Sequence, residues 1–190
     1  MKLLLASKSP RRRLLLSQLG YPIDYITIDA DEHLDSPLPA AEVAEYLARR
    51  KAAACPLENI KDNEVLVTAD TVVVHNGHVL GKPAGRNEAM AMLRSLSGDR
   101  HTVYTGVCLR SATTETSFTE STDVFFRQLS EADIAYYVDT YRPYDKAGAY
   151  GIQEWIGMVG VSRIEGCYYN VMGLPVARLY ERLNCMFGSR

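Results

Sequence analysis

The stretch Val65-Leu-Val-Thr-Ala-Asp-Thr-Val-Val-Val-His-Asn-Gly-His-Val-Leu-Gly-Lys-Pro83 decides how the rest of the chain is read. It reads as a strand turning into a β-hairpin, because Asn76-Gly77 readily takes the two positive φ angles of a two-residue loop. One carboxylate, Asp70, interrupts the apolar and hydroxyl run Val65–Val74. A strand of this kind is covered on at least one face, and a charge there needs compensation. A metal, a hydrogen-bond network or a lysine such as Lys82 across the hairpin would supply it. The plainer alternative is a strand-end aspartate bonded to nearby backbone. His75 and His78 flank the turn and are expected to be solvated.

The 190 residues suit one domain, or two small lobes sharing a core. With 47% hydrophobic and 23% charged residues, the composition supports a sizeable core. A formal net charge of −2 argues against a nucleic-acid binder held by bulk electrostatics, while leaving room for a local basic pocket. The 4 cysteines, Cys55, Cys108, Cys167 and Cys185, form no CxxC pair and fit neither a disulfide framework nor a zinc site. Reduced, mostly buried thiols in a cytoplasmic protein are expected. Met1-Lys-Leu-Leu-Leu-Ala-Ser7 is too short for a signal-peptide core or a membrane span, so Lys2–Ala6 reads as a first buried strand.

Ser9 then offers an N-cap and Pro10 a first helical residue, for a helix running to about Leu19 before Gly20-Tyr21-Pro22. Arg11, Arg12 and Arg13 crowd its first turn, where the macrodipole disfavours cations. An anion bound there would reverse the sign, with backbone N–H groups and guanidinium forks converging on it. A phosphate site accounts for Ser-x-Ser-Pro-Arg-Arg better than a solvated basic turn does. Ile23–Ile28 reads as a second strand, followed by the acidic residues Asp29, Asp31, Glu32 and Asp35. Two such carboxylates near bound phosphate could hold a hard divalent cation.

A helix is expected from about Pro39 to Ala54, with Val43, Leu47 and Ala48 inward and Lys51 near its end. Arg86–Ser97 reads as an amphipathic helix closed by Gly98, and Thr102–Arg110 and Thr116–Gln128 as long strands. Ser130 caps a further helix with Ile134, Tyr137 and Val138 as its apolar face. Tyr141–Gln153 has no clean period; its small residues allow close backbone approach, and Asp145-Lys146 form a charged pair at its head. Gly157–Glu165 reads as a strand and Leu174–Cys185 as a last helix. Strands and helices mix without strict alternation, so the class is α/β or α+β with a mixed sheet.

Walker A, GxGxxG, HExxH and GxSxG patterns are all missing. A basic helix start, scattered carboxylates and the lysines 51, 82 and 146 remain. That set suits phosphoryl chemistry, in which cations and a metal neutralise oxygens while a carboxylate orients or deprotonates water.

Leu5-Ala-Ser7-x-Ser9-Pro-Arg-Arg12, Ala69-Asp-Thr71, Gly81-Lys-Pro83, Leu96-Ser-Gly98, Asp145-Lys-Ala-Gly-Ala-Tyr-Gly-Ile-Gln153 and Gly173-Leu-Pro175 together resemble the Maf family of nucleoside triphosphate pyrophosphatases. The resemblance implies an α/β fold, a mixed twisted sheet flanked by helices, similar to the inosine triphosphate pyrophosphatases. It also implies one domain over 1–190, with two lobes around a central cleft that do not fold independently. Hydrolysis of a nucleoside triphosphate to monophosphate and pyrophosphate, with Mg²⁺ or Mn²⁺, follows from it. So does a cytoplasmic enzyme, with a homodimer fitting the family.

Carried over position by position, Asp70 matches the catalytic base, and Arg11, Thr71 and Gln153 match residues of substrate choice. Ser9, Arg12, Glu32, Lys51 and Lys82 match positions lining the phosphate and metal site; Lys146 joins the phosphate set, and Glu32 and Asp70 form the metal pair. The segment ending in Gln153 resembles the branch acting on dTTP and UTP. Glu154-Trp155 follows where a glycine is more usual. The alternatives left open are 7-methyl-GTP, CTP, or inosine or xanthosine triphosphate as substrate, and a nucleotide-binding regulator of division or septum formation.

Overall fold

The computed structural model describes residues 1–30, 33 and 38–187. In chain order these form β1 (Lys2–Ala6), α1 (Pro10–Ser17), β2 (Ile23–Ile26), α2 (Ala40–Ala53), β3 (Glu64–His75), β4 (His78–Leu80), α3 (Arg86–Leu96), β5 (Arg100–Arg110) and β6 (Glu115–Phe126). There follow α4 (Glu131–Tyr141), α5 (Trp155–Gly160), β7 (Val161–Glu165), α6 (Tyr168–Met172) and α7 (Val176–Phe187), with single 3-10 turns at Leu57–Asn59 and Ala147–Ala149. The strands pair into a 7-stranded sheet in the order β2-β1-β3-β5-β6-β7, with β4 on β3. The sheet is mixed: β1 runs parallel to β2 and β3, whereas β3–β4 and β6–β7 are antiparallel. The α/β class expected from the sequence is therefore the one observed.

The chain groups into two compact units: unit 1 holds Met1–Asp70, Thr105–Glu120 and Gly173–Arg190, and unit 2 holds Thr71–Tyr104 and Ser121–Met172. In unit 1, Leu4, Ala48, Ala52, Cys55, Ile60, Leu66 and Cys108 form one buried cluster. α2 lies directly on β5, because a Cβ at Gly106 would stand 2.2 Å from the Glu45 nitrogen and 2.3 Å from the Ala44 carbonyl. Only glycine permits that approach. Thr68 of β3, fully buried, donates its hydroxyl to the Ala48 carbonyl of α2 at 2.7 Å. Glycine and threonine thus fix the height and register of α2 over the strands.

In unit 2, α3 and α4 pack their apolar faces into one core: Ala89, Met90, Leu93 and Leu96 meet Ile134, Tyr137 and Val138, with Tyr150, Ile152 and Ile156. Ser130 and Asp133 form a reciprocal capping box at the start of α4. The Asn76-Gly77 turn has φ angles of 50° and 78°, the positive pair expected.

Three expectations need correction. The first half of Gly157–Glu165 is helical rather than extended: α5 holds Trp155–Gly160, and the strand begins at Val161. Ile156 and Gly160, both buried, stand one helical turn apart, a period that the neighbouring glycines disguise. His75 is buried and bonds Asp99 Oδ2 through Nε2 at 2.9 Å, so it is not a solvated turn residue; His78 is exposed. Of the cysteines, all free, Cys55 and Cys108 are buried, while Cys167 is half-buried and Cys185 exposed. α6 falls in a stretch with no expected element.

Candidate active-site residues

Within unit 1, the connection from β1 to α1 is a hydroxyl-stabilised turn. Ser7 Oγ accepts the Ser9 N–H at 3.2 Å, and Ser9 Oγ accepts the Arg12 N–H at 3.4 Å. Ser9 is thus the N-cap and Pro10 the first helical residue. No acidic side chain lies in that first turn. Arg12 Nε donates to the Gly173 carbonyl at 2.8 Å, which fixes the backbone just ahead of α7. Arg13 Nε donates to the Ser7 carbonyl at 3.2 Å, and its guanidinium lies 4.9 Å from the Tyr25 ring centre. Part of the electrostatic misfit of this turn is therefore met by the chain itself. Arg11 and Arg12 are half-buried and Arg13 is exposed.

The same unit brings Lys51 and Asp70 together. Thr68 and Asp70 point to one face of β3 by the two-residue period of a strand, and Ala48 and Lys51 share one face of α2. The Thr68–Ala48 bond therefore sets the next pair along: Lys51 Nζ meets Asp70 Oδ1 at 2.5 Å. Both side chains are mostly shielded, 17% and 16% exposed respectively. The compensation sought for Asp70 is thus a lysine from α2 and not Lys82 of the hairpin. A half-buried carboxylate with one ammonium partner among the described residues keeps acceptor capacity for a water or a cation.

Within unit 2, Lys82 is exposed and forms no ion pair among the described residues. Its segment is tied to the tight segment around Lys146 by the Gly148 N–H, which bonds the Gly81 carbonyl at 3.1 Å. Lys146 is buried, and its ammonium meets Asp145 Oδ1 at 2.8 Å and Glu154 Oε1 at 3.1 Å. The other Glu154 oxygen accepts the Tyr137 hydroxyl, and that hydroxyl accepts the Gly151 N–H at 3.0 Å. Burial, with Glu154 adding to it, pushes the Tyr137 hydroxyl far above its ordinary range, so it stays a donor. Gln153 sits inside this arrangement, half-buried, with its Oε1 shielded and without a hydrogen-bond partner among the described residues. Thr71, half-buried, follows Asp70 on β3.

Glu32, expected as the second metal ligand, lies outside the described residues. Among the described residues no group of three or more His, Cys, Asp or Glu could hold a metal. Asp70 nevertheless has the right chemistry for Mg²⁺ or Mn²⁺, a hard carboxylate oxygen, and such cations take much of their coordination from water and substrate phosphate. Sequence reasoning missed the clamp made by Tyr137 and Glu154. Tyr137 looks like a core residue from its spacing, and Glu154 registers only as a departure from a family pattern. The hydroxyl and the carboxylate meet across 17 residues, a distance that no local pattern reports.

The strand-borne carboxylate, the capped basic helix start and the Asp145–Gln153 segment lie in one chain that belongs to the Maf family. A family profile described as Maf-like protein matches residues 2–186. The chain is 52% identical over 185 residues to a dTTP/UTP pyrophosphatase of Bacteroides thetaiotaomicron, covering 96% of this chain and 94% of that one. It is 44% identical to the dTTP/UTP pyrophosphatase of Flavobacterium johnsoniae, over 97% of this chain and 95% of the other. Among solved structures, the Ham1 protein of Staphylococcus aureus superposes with a TM-score of 0.45 at 13% identity, over 66% of this chain and 72% of that chain. No helix among the described residues is long and apolar enough to cross a membrane.

Proposed function

We propose that this protein is a dTTP/UTP pyrophosphatase, hydrolysing the pyrimidine triphosphate to its monophosphate and pyrophosphate. The observation that carries the reading is the half-buried Lys51–Asp70 pair, 2.5 Å apart, in a chain whose relatives carry that name over nearly their whole length. Asp70 takes the proton of the attacking water. The water oxygen bonds to the α-phosphorus, the bridging bond from the α-phosphorus to the β-phosphate oxygen breaks, and pyrophosphate leaves with that oxygen. Lys51 holds the carboxylate in place and balances the charge around it. Ser9, Arg11 and Arg12, at the start of α1, bind phosphate oxygens with their side-chain donors, in the positive field of the helix start. Lys82 and the remaining donor of Lys146 serve the phosphates as well. Gln153, with Thr71 and Arg11, chooses the base.

Mg²⁺ or Mn²⁺, held by Asp70 and Glu32, would supply Lewis-acid stabilisation of the charge that develops on the phosphate oxygens. The family resemblance supports a cytoplasmic homodimer in which the two units form one domain. The net charge of −2 supports free nucleotide, rather than nucleic acid, as the substrate.

The test is a panel of UTP, dTTP, CTP, GTP and ITP with the purified protein and either metal, in heavy-oxygen water. The expected result is best turnover of UTP and dTTP, free pyrophosphate, and the label in the monophosphate. Release of orthophosphate, or the label in pyrophosphate, would overturn attack at the α-phosphorus. A purine preference would overturn the substrate assignment.

A further inference from the structure

Lys51 stands in the last turn of α2, the part of a helix least able to hold itself. The carbonyls of such a turn lack the N–H groups of a following one. An ammonium on the same turn is ordinarily drawn to them and to the negative end of the macrodipole. Lys51 reaches across to Asp70 of β3 at 2.5 Å. The fold therefore has to steady the turn and leave the ammonium to the carboxylate.

Arg110, the last residue of β5, does both. Its side chain is mostly shielded, and one nitrogen, Nη1, donates to the Ala52 carbonyl at 2.8 Å and to the Cys55 carbonyl at 3.1 Å. Ala52 adjoins Lys51 in the chain, and its carbonyl also accepts the Cys55 N–H at 3.2 Å, the tightening usual at a helix end. The guanidinium brings a positive charge to the negative end of α2. Its Nε lies 3.6 Å from Glu115 Oε2, at the start of β6. A planar fork on a strand end is a preorganised donor, where a lysine would be a flexible one.

On the other side of Lys51, Thr68 of β3 holds the Ala48 carbonyl at 2.7 Å. The stretch from Ala48 to Cys55 is thus tied to β3 ahead of Lys51 and to β5 behind it. The Thr68 bond fixes where α2 sits on the strand that carries Asp70. The Arg110 bonds fix the turn from which Lys51 extends, and they occupy the carbonyls that compete with Asp70 for its ammonium.

We propose that Arg110 is a positioning residue for the reaction, acting through the last turn of α2 to hold the Lys51 ammonium on Asp70. This rests on the reading of Asp70 as the base that takes the proton of the attacking water. With Oδ1 held by Lys51, the plane of the carboxylate is set and Oδ2 keeps one direction toward the water. Without Arg110 the turn frays, the ammonium falls back on its own helix end, and the carboxylate rotates. Misplacing a reacting group in this way costs rate rather than binding.

Three measurements on the whole protein test the proposal. The first is the side-chain ammonium signal of Lys51 in nitrogen-15 NMR of the nucleotide-free protein, assigned by its loss in Lys51→Met. The wild type is expected to show it sharp, and Arg110→Met to broaden it through faster proton exchange. The second is the split between kcat and KM for UTP. In Arg110→Met kcat is expected to fall by roughly tenfold, with KM near its wild-type value. The third is the same substitution made in Lys51→Met, where a residue acting through Lys51 has no further kcat to remove. Arg110→Lys keeps the charge without the fork. It is expected to move the readouts in the same direction by less, and it carries the test should Arg110→Met not fold.

A wild-type Lys51 signal as broad as that of an exposed lysine, or one unaltered in Arg110→Met, overturns the proposal. So does a kcat that falls equally in the wild-type and Lys51→Met backgrounds, the mark of a merely structural role. A lowered melting temperature beside an unchanged kcat does the same. Wild-type protein that releases no pyrophosphate from UTP overturns the functional reading. The ammonium signal needs no turnover and separately decides whether Arg110 holds Lys51 in place.

Discussion

Two mostly shielded lysines among the described residues, Lys51 of unit 1 and Lys146 of unit 2, stand against carboxylates in different arrangements. In unit 1, Lys51 is 17% exposed and has Asp70 as its carboxylate partner. Taken by themselves the two charges cancel, and both members stand on regular elements, α2 and β3. In unit 2, Lys146 is 9% exposed and lies between Asp145 and Glu154, so two carboxylates face one ammonium. Two of the three ammonium donors are engaged, and Tyr137 takes up an oxygen of Glu154 as well. A triphosphate gains from a balanced lysine–carboxylate pair, and gains less from an ammonium that already serves two anions. The first arrangement suits proton transfer next to phosphate. The second suits holding a loop.

The largest effect expected from this contrast is on the neutral pair. Asp70→Asn keeps the shape of the side chain and removes its basicity. Turnover is expected to fall by about 10²–10⁴-fold, the usual contribution of a positioned base, with the melting curve nearly unmoved. Pyrophosphate release from UTP is the measurement, and activity near that of the wild type would end the assignment of Asp70 as base.

The core of unit 2 offers the next largest effect, through His101. It is 1% exposed and bonds the Tyr150 hydroxyl at 2.7 Å, edge-on to that ring. Burial pushes its pKa down from 6.5 to about 4, with the charge of His75 adding to the shift. The folded protein therefore keeps His101 neutral in a range where the unfolded chain binds a proton. Between 6.5 and about 4 the stability falls as the pH is lowered. The loss reaches at most about 3 kcal/mol at the acid end of that window. His101→Gln keeps a partner for Tyr150 and has no ring to protonate. Urea unfolding at a pH above the window and at one inside it should show a shallower acid loss in the variant. Equal losses in both proteins would show that His101 does not drive this part of the profile.

The hairpin was legible because Asn-Gly turn chemistry is local, and α1 because its cap and first residue adjoin in sequence. α5 was misread because glycines at 157 and 160 hide a helical period of which Ile156 and Gly160 are the buried ends. The partner of Asp70, open in the sequence between a metal, a hydrogen-bond network and a lysine such as Lys82, is a lysine from elsewhere in the chain. A lysine across the hairpin is near in sequence, whereas Lys51 arrives through the packing of α2, set by Gly106 and Thr68. Nothing in the composition of α2 states that its last turn will reach β3. The burial of His75 was missed likewise, since Asp99, its partner, lies 24 residues away. Roles assigned by family motif are placed on the chain by number, yet the hydrogen-bonded group of Tyr137, Gly151 and Glu154 needs coordinates.

The smallest effect sharpens the comparison most directly. Lys51→Met and Lys146→Met each remove an ammonium and keep most of the apolar stem. The first leaves one carboxylate uncompensated at the edge of unit 1, where 16% exposure still allows water to reach it. The second leaves Glu154, 20% exposed, and Asp145, 59% exposed, without the cation between them. Removing one partner of a fully buried pair costs about 3–5 kcal/mol, and an exposed pair contributes at most about 1 kcal/mol. With Asp145 so open to solvent, the expected loss for Lys146→Met is about 2 kcal/mol, between those limits. For Lys51→Met it is about 1 kcal/mol, because a single anion can recruit water in place of the lysine. Turnover should reverse that order, with Lys51→Met the more damaged enzyme. Chemical denaturation and pyrophosphate release, measured on both variants, give the two rankings. If stability and turnover rank the variants alike, the division of labour between the neutral pair and the anionic clamp is wrong.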